Sequence, residues 1–336
     1  MKNNPHSHRP YAAHVRSALS LILIATSIGC VPNSSWDGKY RADRKERLTR
    51  GCTFYFDGAG GGTTKSNYAQ GVVEGMLAAG YRGGGELVSW ETDKGLMADQ
   101  DASVAYKRTK AQAGAARIRN YQKDHPAAPV NLLGFSAGTA EAIFALEVLP
   151  ETAQVDHVVL LGTSISRDYD LTEALKRVRN KLYIFTSTHD QMLGTLMQFS
   201  GTADRKFHDP GAGIKGFVLP AGASAATRRL YADKIVTIPY SEDFRKDKNQ
   251  GRHFDNVKKE FIRDHVAPLL MGQRVSERDR SPTGASLSSG RAAALHLRKT
   301  LAQDAQGCTQ DACAPHPRPP TCFLPSNTIE TRLVCG

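Results

Sequence analysis

An α/β domain with a doubly wound, mostly parallel sheet is the fold class that residues 51–270 predict, on two observations. Short apolar runs rich in Val, Ile, Leu and Phe alternate along the chain with longer stretches whose apolar residues recur at helical spacing. Those runs suit strands buried on both faces, and strands alternating with helices of this length are the pattern of parallel crossovers.

Each element follows in order. Cys52-Thr53-Phe54-Tyr55-Phe56 is a β-rich run that ends in the glycine cluster Gly58-Ala59-Gly60-Gly61-Gly62. Helical spacing covers residues 68–79, and Glu86-Leu87-Val88-Ser89-Trp90 is the next strand. Val104, Ala111, Ala115, Ile118 and Tyr121 mark one face of a long amphipathic helix. Val130-Asn131-Leu132-Leu133 is a strand that runs through Gly134-Phe135-Ser136-Ala137-Gly138 into a helix over 140–149. Residues 157–162 form a strand, 171–178 a helix and 182–186 another strand. Residues 191–233, with several Gly and two Pro, read as irregular. Ile235-Val236-Thr237-Ile238-Pro239 is the last strand, and Val257, Phe261, Val266 and Leu269 form the stripe of a closing helix.

The flanks differ in character. Lys2, Arg9 and Arg16 precede an uncharged stretch through Leu21-Ile22-Leu23-Ile24 to Gly29 and Cys30, which is a secretory signal in outline. Its apolar part falls short of the roughly 20 residues that span a bilayer, and no later segment is apolar and long enough to do so. Ser27-Ile28-Gly29-Cys30 resembles a bacterial lipoprotein signal, which implies lipidation of Cys30 and a membrane surface as partner; an ordinary cleaved signal is the alternative. Either way the protein is expected to be exported to the cell envelope. Residues 31–50 read as a polar, basic linker, and residues 271–336, dominated by Ser, Gly, Arg and Pro, as a mostly disordered tail.

The net charge of +11 over 336 residues collects in these flanks. No aromatic residues interleave the basic clusters in a stacking pattern, so a nucleic-acid platform is not expected. Of six cysteines, Cys308, Cys313, Cys322 and Cys335 lie in the tail, where export would permit two disulfides. Cys52 is expected to be buried at the start of its strand. Zinc is disfavoured because Cys308 and Cys313 are spaced too widely for paired ligands and His316 alone lies nearby. No metal, organic cofactor or clear oligomerisation element is called for; a dinucleotide fingerprint after the first strand fails because Thr63 occupies its third glycine position.

The chemistry centres on Gly134-Phe135-Ser136-Ala137-Gly138, where a strand meets a helix. A serine on such a turn has its hydroxyl lifted clear of the backbone, and the flanking glycines let the chain bend. The amide of Ala137 and the helix N-terminus then face any developing oxyanion. With this motif in place, residues 51–270 resemble the α/β-hydrolase superfamily, from a strand with a glycine-rich loop to a last strand followed by histidine. The resemblance implies Ser136 as nucleophile, Asp190 in Thr188-His189-Asp190 as acid and His253 in Gly251-Arg252-His253-Phe254-Asp255 as base, in the chain order this fold uses. It implies an oxyanion hole from the amides of Ala59 and Ala137, with Asp57 standing where histidine is frequent. The two antiparallel strands often found first in that family have no counterpart here. Asp168 and Asp170 are substitutes for the acid, and His189, His208 and His265 rivals for the base.

The activity implied is that of an exported serine hydrolase cleaving carboxylic esters, esterase- or lipase-like, through an acyl-enzyme on Ser136. Met192, Leu193, Leu196, Met197 and Phe199 would then wall an acyl chain or simply pack as a helix. Amidase, peptidase or acyltransferase chemistry would use the same machinery. The alternative class is a non-catalytic envelope lipoprotein whose hydrolase-like domain binds a ligand or partner.

Overall fold

Six strands pair in parallel throughout into one sheet. They are β1 (Cys52–Phe56), β2 (Gly84–Val88), β3 (Val130–Phe135), β4 (Val155–Leu161), β5 (Val178–Thr186) and β6 (Ile235–Pro239), in spatial order β2-β1-β3-β4-β5-β6. The computed structural model describes residues 43–61, 68–209 and 211–273, all within one compact unit. The expected signal segment, Cys30 and the tail cysteines lie outside the described residues.

The strands could be read as apolar runs because both faces of the sheet are covered. Alternate residues point to opposite sides. Phe54, Phe56, Leu132, Val158, Leu160, Leu182 and Ile184 face one helical layer. That layer contains α4 (Val104–Asp124), α5 (Gly138–Val148) and α6 (Thr172–Lys176), with Tyr231 of α9 (Ala225–Lys234). Tyr55, Leu133, Phe135, Val159, Leu161, Tyr183 and Phe185 face α2 (Ala69–Ala78) and the closing segment of residues 257–271. Every residue of β1 and β3 is buried, and each such Leu, Val or Phe contributes about 1.5–3 kcal/mol by leaving water. Cys52 is the fully buried first residue of β1, and burial pushes its free thiol well above the usual range.

Several elements depart from the sequence expectation. Residues 44–49 of the presumed linker form a short helix, α1 (Arg44–Thr49), whose buried Arg47 donates through Nη2 to the carbonyl of Tyr81 at 2.7 Å. Strand β2 begins two residues before the expected start, because Gly84 carries no side chain and lies against Leu48. Residues 191–233 are largely helical, with α7 (Gln191–Ser200), α8 (Ala212–Lys215) and α9; the short α3 (Leu96–Asp101) precedes α4. The expected 171–178 helix is only α6, and Val178 opens β5 instead. The closing helix is interrupted: a π-turn over Ile262–Val266 separates Lys259–Phe261 from Ala267–Leu270, which carries Pro268 in its first turn. Proline has no N–H to donate and its ring crowds the preceding turn, so a widened turn accommodates it.

The order of the strands sets where a site can form. The chain moves outward from β1 to β2, then crosses back to place β3 on the other side of β1. Loops leaving the carboxyl ends of β1 and β3 therefore diverge to opposite faces and leave a crevice between them.

Candidate active site

Ser136 follows the last residue of β3, and the chain reverses into α5 within Ser136 and Ala137. Its φ of +52° is a left-handed conformation that costs a non-glycine residue about 1–3 kcal/mol. The turn is fixed by the Ser136 N–H donating to Leu161 O at 2.9 Å and by the Ser136 carbonyl accepting from Thr139 N at 3.0 Å and Thr139 Oγ1 at 2.6 Å. Two neighbours must lack side chains. A Cβ on Gly134 would stand 2.9 Å from Thr139 Cα, and one on Gly138 2.6 Å from the carbonyl carbon of Phe56, closer still to the carbonyl oxygens of Phe56 and Asp57. Gly138 thus starts α5 in backbone contact with the end of β1.

Asp190 and His253 come from two further strand ends. Asp190 lies just beyond β5 and caps α7, its Oδ1 accepting from Leu193 N at 2.8 Å. His253 starts a 3₁₀ turn, His253–Val257, in the long connection after β6, and Asn256 Nδ2 donates to its carbonyl at 2.9 Å. With the proton placed on Nδ1, His253 donates to Asp190 Oδ2 at 2.7 Å, and Nε2 accepts from Ser136 Oγ at 2.9 Å. Asp190 and His253 are 2% and 4% exposed, so solvent does not compete for their bond. The imidazole lies against Phe135, 5.0 Å between ring centroids, and Phe254 at 5.4 Å. Its other side meets Gly162, where a Cβ would stand 3.0 Å from His253 Cε1.

The glycine-rich loop after β1 lies beside the same serine. A Cβ on Gly58 would stand 3.2 Å from Ser136 Cβ. Among the described residues, neither the Ala59 nor the Ala137 amide has a hydrogen-bond partner, whereas Gly58 N donates to Asp57 Oδ1 at 2.8 Å and Gly60 N to Asp99 Oδ2 at 2.8 Å. Both alanines are buried and pack with Trp90 and Leu96 in one small apolar cluster. Trp90 also donates through Nε1 to the Asp57 carbonyl at 2.8 Å. Unpaired, buried N–H groups beside a serine hydroxyl are suited to an oxyanion, because desolvated donors interact strongly with developing charge.

The rival residues stand elsewhere. Asp168 pairs with Lys206 at 2.5 Å on the surface, and that cation holds its carboxyl below the usual range. Asp170 accepts from Thr172 N at 2.9 Å, His189 is exposed beside Tyr240, His208 is exposed, and His265 bonds Asp247 Oδ2 at 2.8 Å. The apolar residues of α7 divide: Leu193 and Met197 are buried, while Phe199 is 70% exposed. Sequence reasoning gave no role to Trp90, Tyr68, Phe254 or Gly162, all of which border the site; Gly162, the first residue after β4, carried a signal in its position alone.

Under the elbow, Glu141 of α5 is fully buried, and neither carboxyl oxygen has a hydrogen-bond partner among the described residues. Burial pushes its carboxyl up to about 9, against the pull of Lys107 and Lys110, so it is protonated at neutral pH. Lys107 is also buried; burial lowers its ammonium to about 8, and Nζ donates to Gln100 O at 2.9 Å and Ala203 O at 3.3 Å.

A groove of about 490 Å³ lined by Arg119, Lys123, Pro150 and Arg179 lies by the amino end of β3, the opposite edge of the sheet from Ser136. Among the described residues no group of His, Cys, Asp and Glu is arranged to hold a metal ion, and no helix is long and apolar enough to cross a membrane. No family model matches the chain, and no curated protein matches it.

Proposed function

We propose that this chain is a serine hydrolase of α/β-hydrolase architecture that cleaves carboxylic esters through an acyl-enzyme on Ser136. The observation that carries the reading is the continuous Ser136–His253–Asp190 hydrogen-bond chain, with distances of 2.9 and 2.7 Å, beside the buried Ala59 and Ala137, whose amides have no partner among the described residues. The strand order, with the nucleophile after β3 and the acid and base after β5 and β6, agrees with that architecture.

The chemistry follows from the geometry. A serine hydroxyl is a weak nucleophile, so His253 Nε2 takes its proton as Oγ attacks the ester carbonyl. Asp190 holds the imidazole in the tautomer that makes this possible and stabilises the imidazolium. The carbonyl oxygen becomes an oxyanion facing the Ala59 and Ala137 amides. Collapse expels the alcohol, which receives the proton from His253. Water then attacks the acyl-serine with the same base, releasing the acid and restoring Ser136. No cofactor is required by any step.

The site's aromatic border of Phe135, Phe254, Tyr68 and Trp90 favours an apolar acyl or alcohol group. Export, and anchoring to a membrane through Cys30, belong to the same proposal and rest on the N-terminal residues alone. Labelling of the full chain with a fluorophosphonate, compared with Ser136→Ala, tests the catalytic reading. Label lost in the variant is the expected outcome; a folded wild-type chain that takes no label refutes the reading.

A further inference from the structure

Beside the exposed apolar residues Phe199, Phe207 and Met97, Arg205 and Lys206 are paired with Asp101 and Asp168, so no free charge there selects a partner. Asp57 is a buried residue that the triad chemistry leaves unused. It is 1% exposed, lies just beyond β1 and, among the described residues, forms no hydrogen bond with the triad, yet its carboxylate accepts three hydrogen bonds. Oδ1 accepts from Tyr55 Oη at 2.7 Å and Gly58 N at 2.8 Å, and Oδ2 accepts from Tyr68 N at 2.9 Å.

The two backbone donors lie near the ends of one loop. Gly58 follows Asp57 after β1 and begins the turn that carries the Ala59 amide, and Tyr68 is the last residue before α2. Tyr55 donates from β1 itself, so one carboxylate ties that turn to the start of α2. The fit is close: a Cβ on Gly61 would stand 2.5 Å from Asp57 Oδ2. The Asp57 carbonyl is held as well, by Trp90 Nε1 and by the contact with Gly138 at the head of α5. Loop and elbow, the two sources of oxyanion donors, therefore meet at this residue.

Resting on the hydrolase reading above, we propose that Asp57 is a positioning residue whose carboxylate clamps the glycine-rich loop so that the Ala59 amide faces the oxyanion formed at Ser136. The clamp requires the ionised form. A carboxylate has acceptor sites for all three donors, whereas a protonated carboxyl or an amide sets one hydrogen against a donor. The groups facing Asp57 are the Tyr55 hydroxyl, the Gly58 and Tyr68 amides and, at longer range, the Tyr68 hydroxyl and the Glu91 carboxylate. Burial outweighs the three donors and pushes the carboxyl up to about 6, with Glu91 adding to the rise. The loop accordingly loosens as the pH falls through that value, and turnover is lost with it.

The experiment is steady-state hydrolysis of p-nitrophenyl acetate by the full chain between pH 5 and 8, for wild type, Asp57→Asn and Tyr55→Phe. Asp57→Asn lowers kcat by roughly 100-fold, the loss typical of one misplaced oxyanion donor, with KM within about threefold. On the acid side of the wild-type profile two protons suppress kcat; in Asp57→Asn only one does. Tyr55→Phe keeps the ring packing but removes one donor from the carboxylate, so the second ionisation moves to higher pH. An active wild type with Asp57→Asn within threefold in kcat overturns the inference and leaves the hydrolase reading intact. So does an Asp57→Asn chain that fails to fold while Tyr55→Phe keeps the wild-type pH profile, since Asp57 is then a fold element only. A wild type that neither hydrolyses the ester nor takes the fluorophosphonate label overturns both.

Discussion

Replacing Asp190 by Asn separates orientation of the base from mere occupancy of the site. The carboxylate has two duties, accepting from Leu193 N at 2.8 Å through Oδ1 and from His253 Nδ1 at 2.7 Å through Oδ2. Asparagine has one acceptor and one donor to fill both. Keeping its oxygen on the α7 cap, a role asparagine fills as well as aspartate, turns its NH₂ toward the imidazole. The ring must then accept at Nδ1 and carry its proton on Nε2, where it donates to Ser136 Oγ instead of accepting from it. The opposite flip sets the NH₂ against a buried N–H and costs about 1–3 kcal/mol. A serine hydrolase with the wrong tautomer loses about 10⁴ in kcat, or about 5.4 kcal/mol at 1.36 kcal/mol per tenfold. Hydrolysis of p-nitrophenyl butyrate, with Ser136→Ala as the baseline, should show that loss in kcat with KM little changed. Because the cap survives, the melting temperature should stay within about 4 °C of wild type, the equivalent of about 1 kcal/mol in a domain of this size. Asp190→Asn turning over within tenfold of wild type refutes the reasoning.

Two further outcomes follow from backbone packing and buried charge. Gly138→Ala forces a methyl group into the carbonyls of Phe56 and Asp57, so thermal unfolding should show a loss of about 2–3 kcal/mol and ester hydrolysis a fall of about 100-fold; an unshifted melt with full activity would show that the β1–α5 contact is not needed. Glu141, raised from 4.5 to about 9 by burial, keeps in the folded state a proton that the unfolded chain releases, so it lowers stability progressively as pH rises from about 5 to about 9. Glu141→Gln should flatten that decline in melts taken across the range, and an identical slope in the two proteins would contradict it.

The sheet was legible because its central strands are buried on both faces, leaving β1, β3 and the later halves of β4 and β5 as mostly apolar runs, while the polar first residues of β4 and β5 lay outside the expected strands. The elbow was legible for a related reason: the backbone crossing at Gly134 and Gly138 excludes every other residue type. Most of what escaped notice lacked an apolar stripe. Helix α9 buries Tyr231 alone and so presents no apolar periodicity, whereas the apolar residues of α7 suit an acyl wall or a packed helix and only its place within an otherwise irregular stretch was missed. Helix α1 was hidden by its charge, since Arg47 is buried through hydrogen bonding to a carbonyl and not through apolar contact. Within the site, the Asp57 bonds to Tyr68 and Trp90 join segments that are distant in sequence, and no local pattern announces them.

The interlock between α2 and the closing segment bears on how the molecule is made. A Cβ on Gly75 would stand 2.5 Å from Ile262 Cβ, and one on Gly71 would collide with the backbone carbonyl of Val257. One of the earliest helices of the domain therefore waits for the last residues of the domain before it can bury its inner face. His253 arrives in that same late portion. A chain emerging from a ribosome amino end first would thus present Ser136 and Asp190 before the His253 that joins them in the proposed triad. On the proposed hydrolase reading, catalytic competence would be the last property it acquires, and a fragment ending before residue 253 would lack the base.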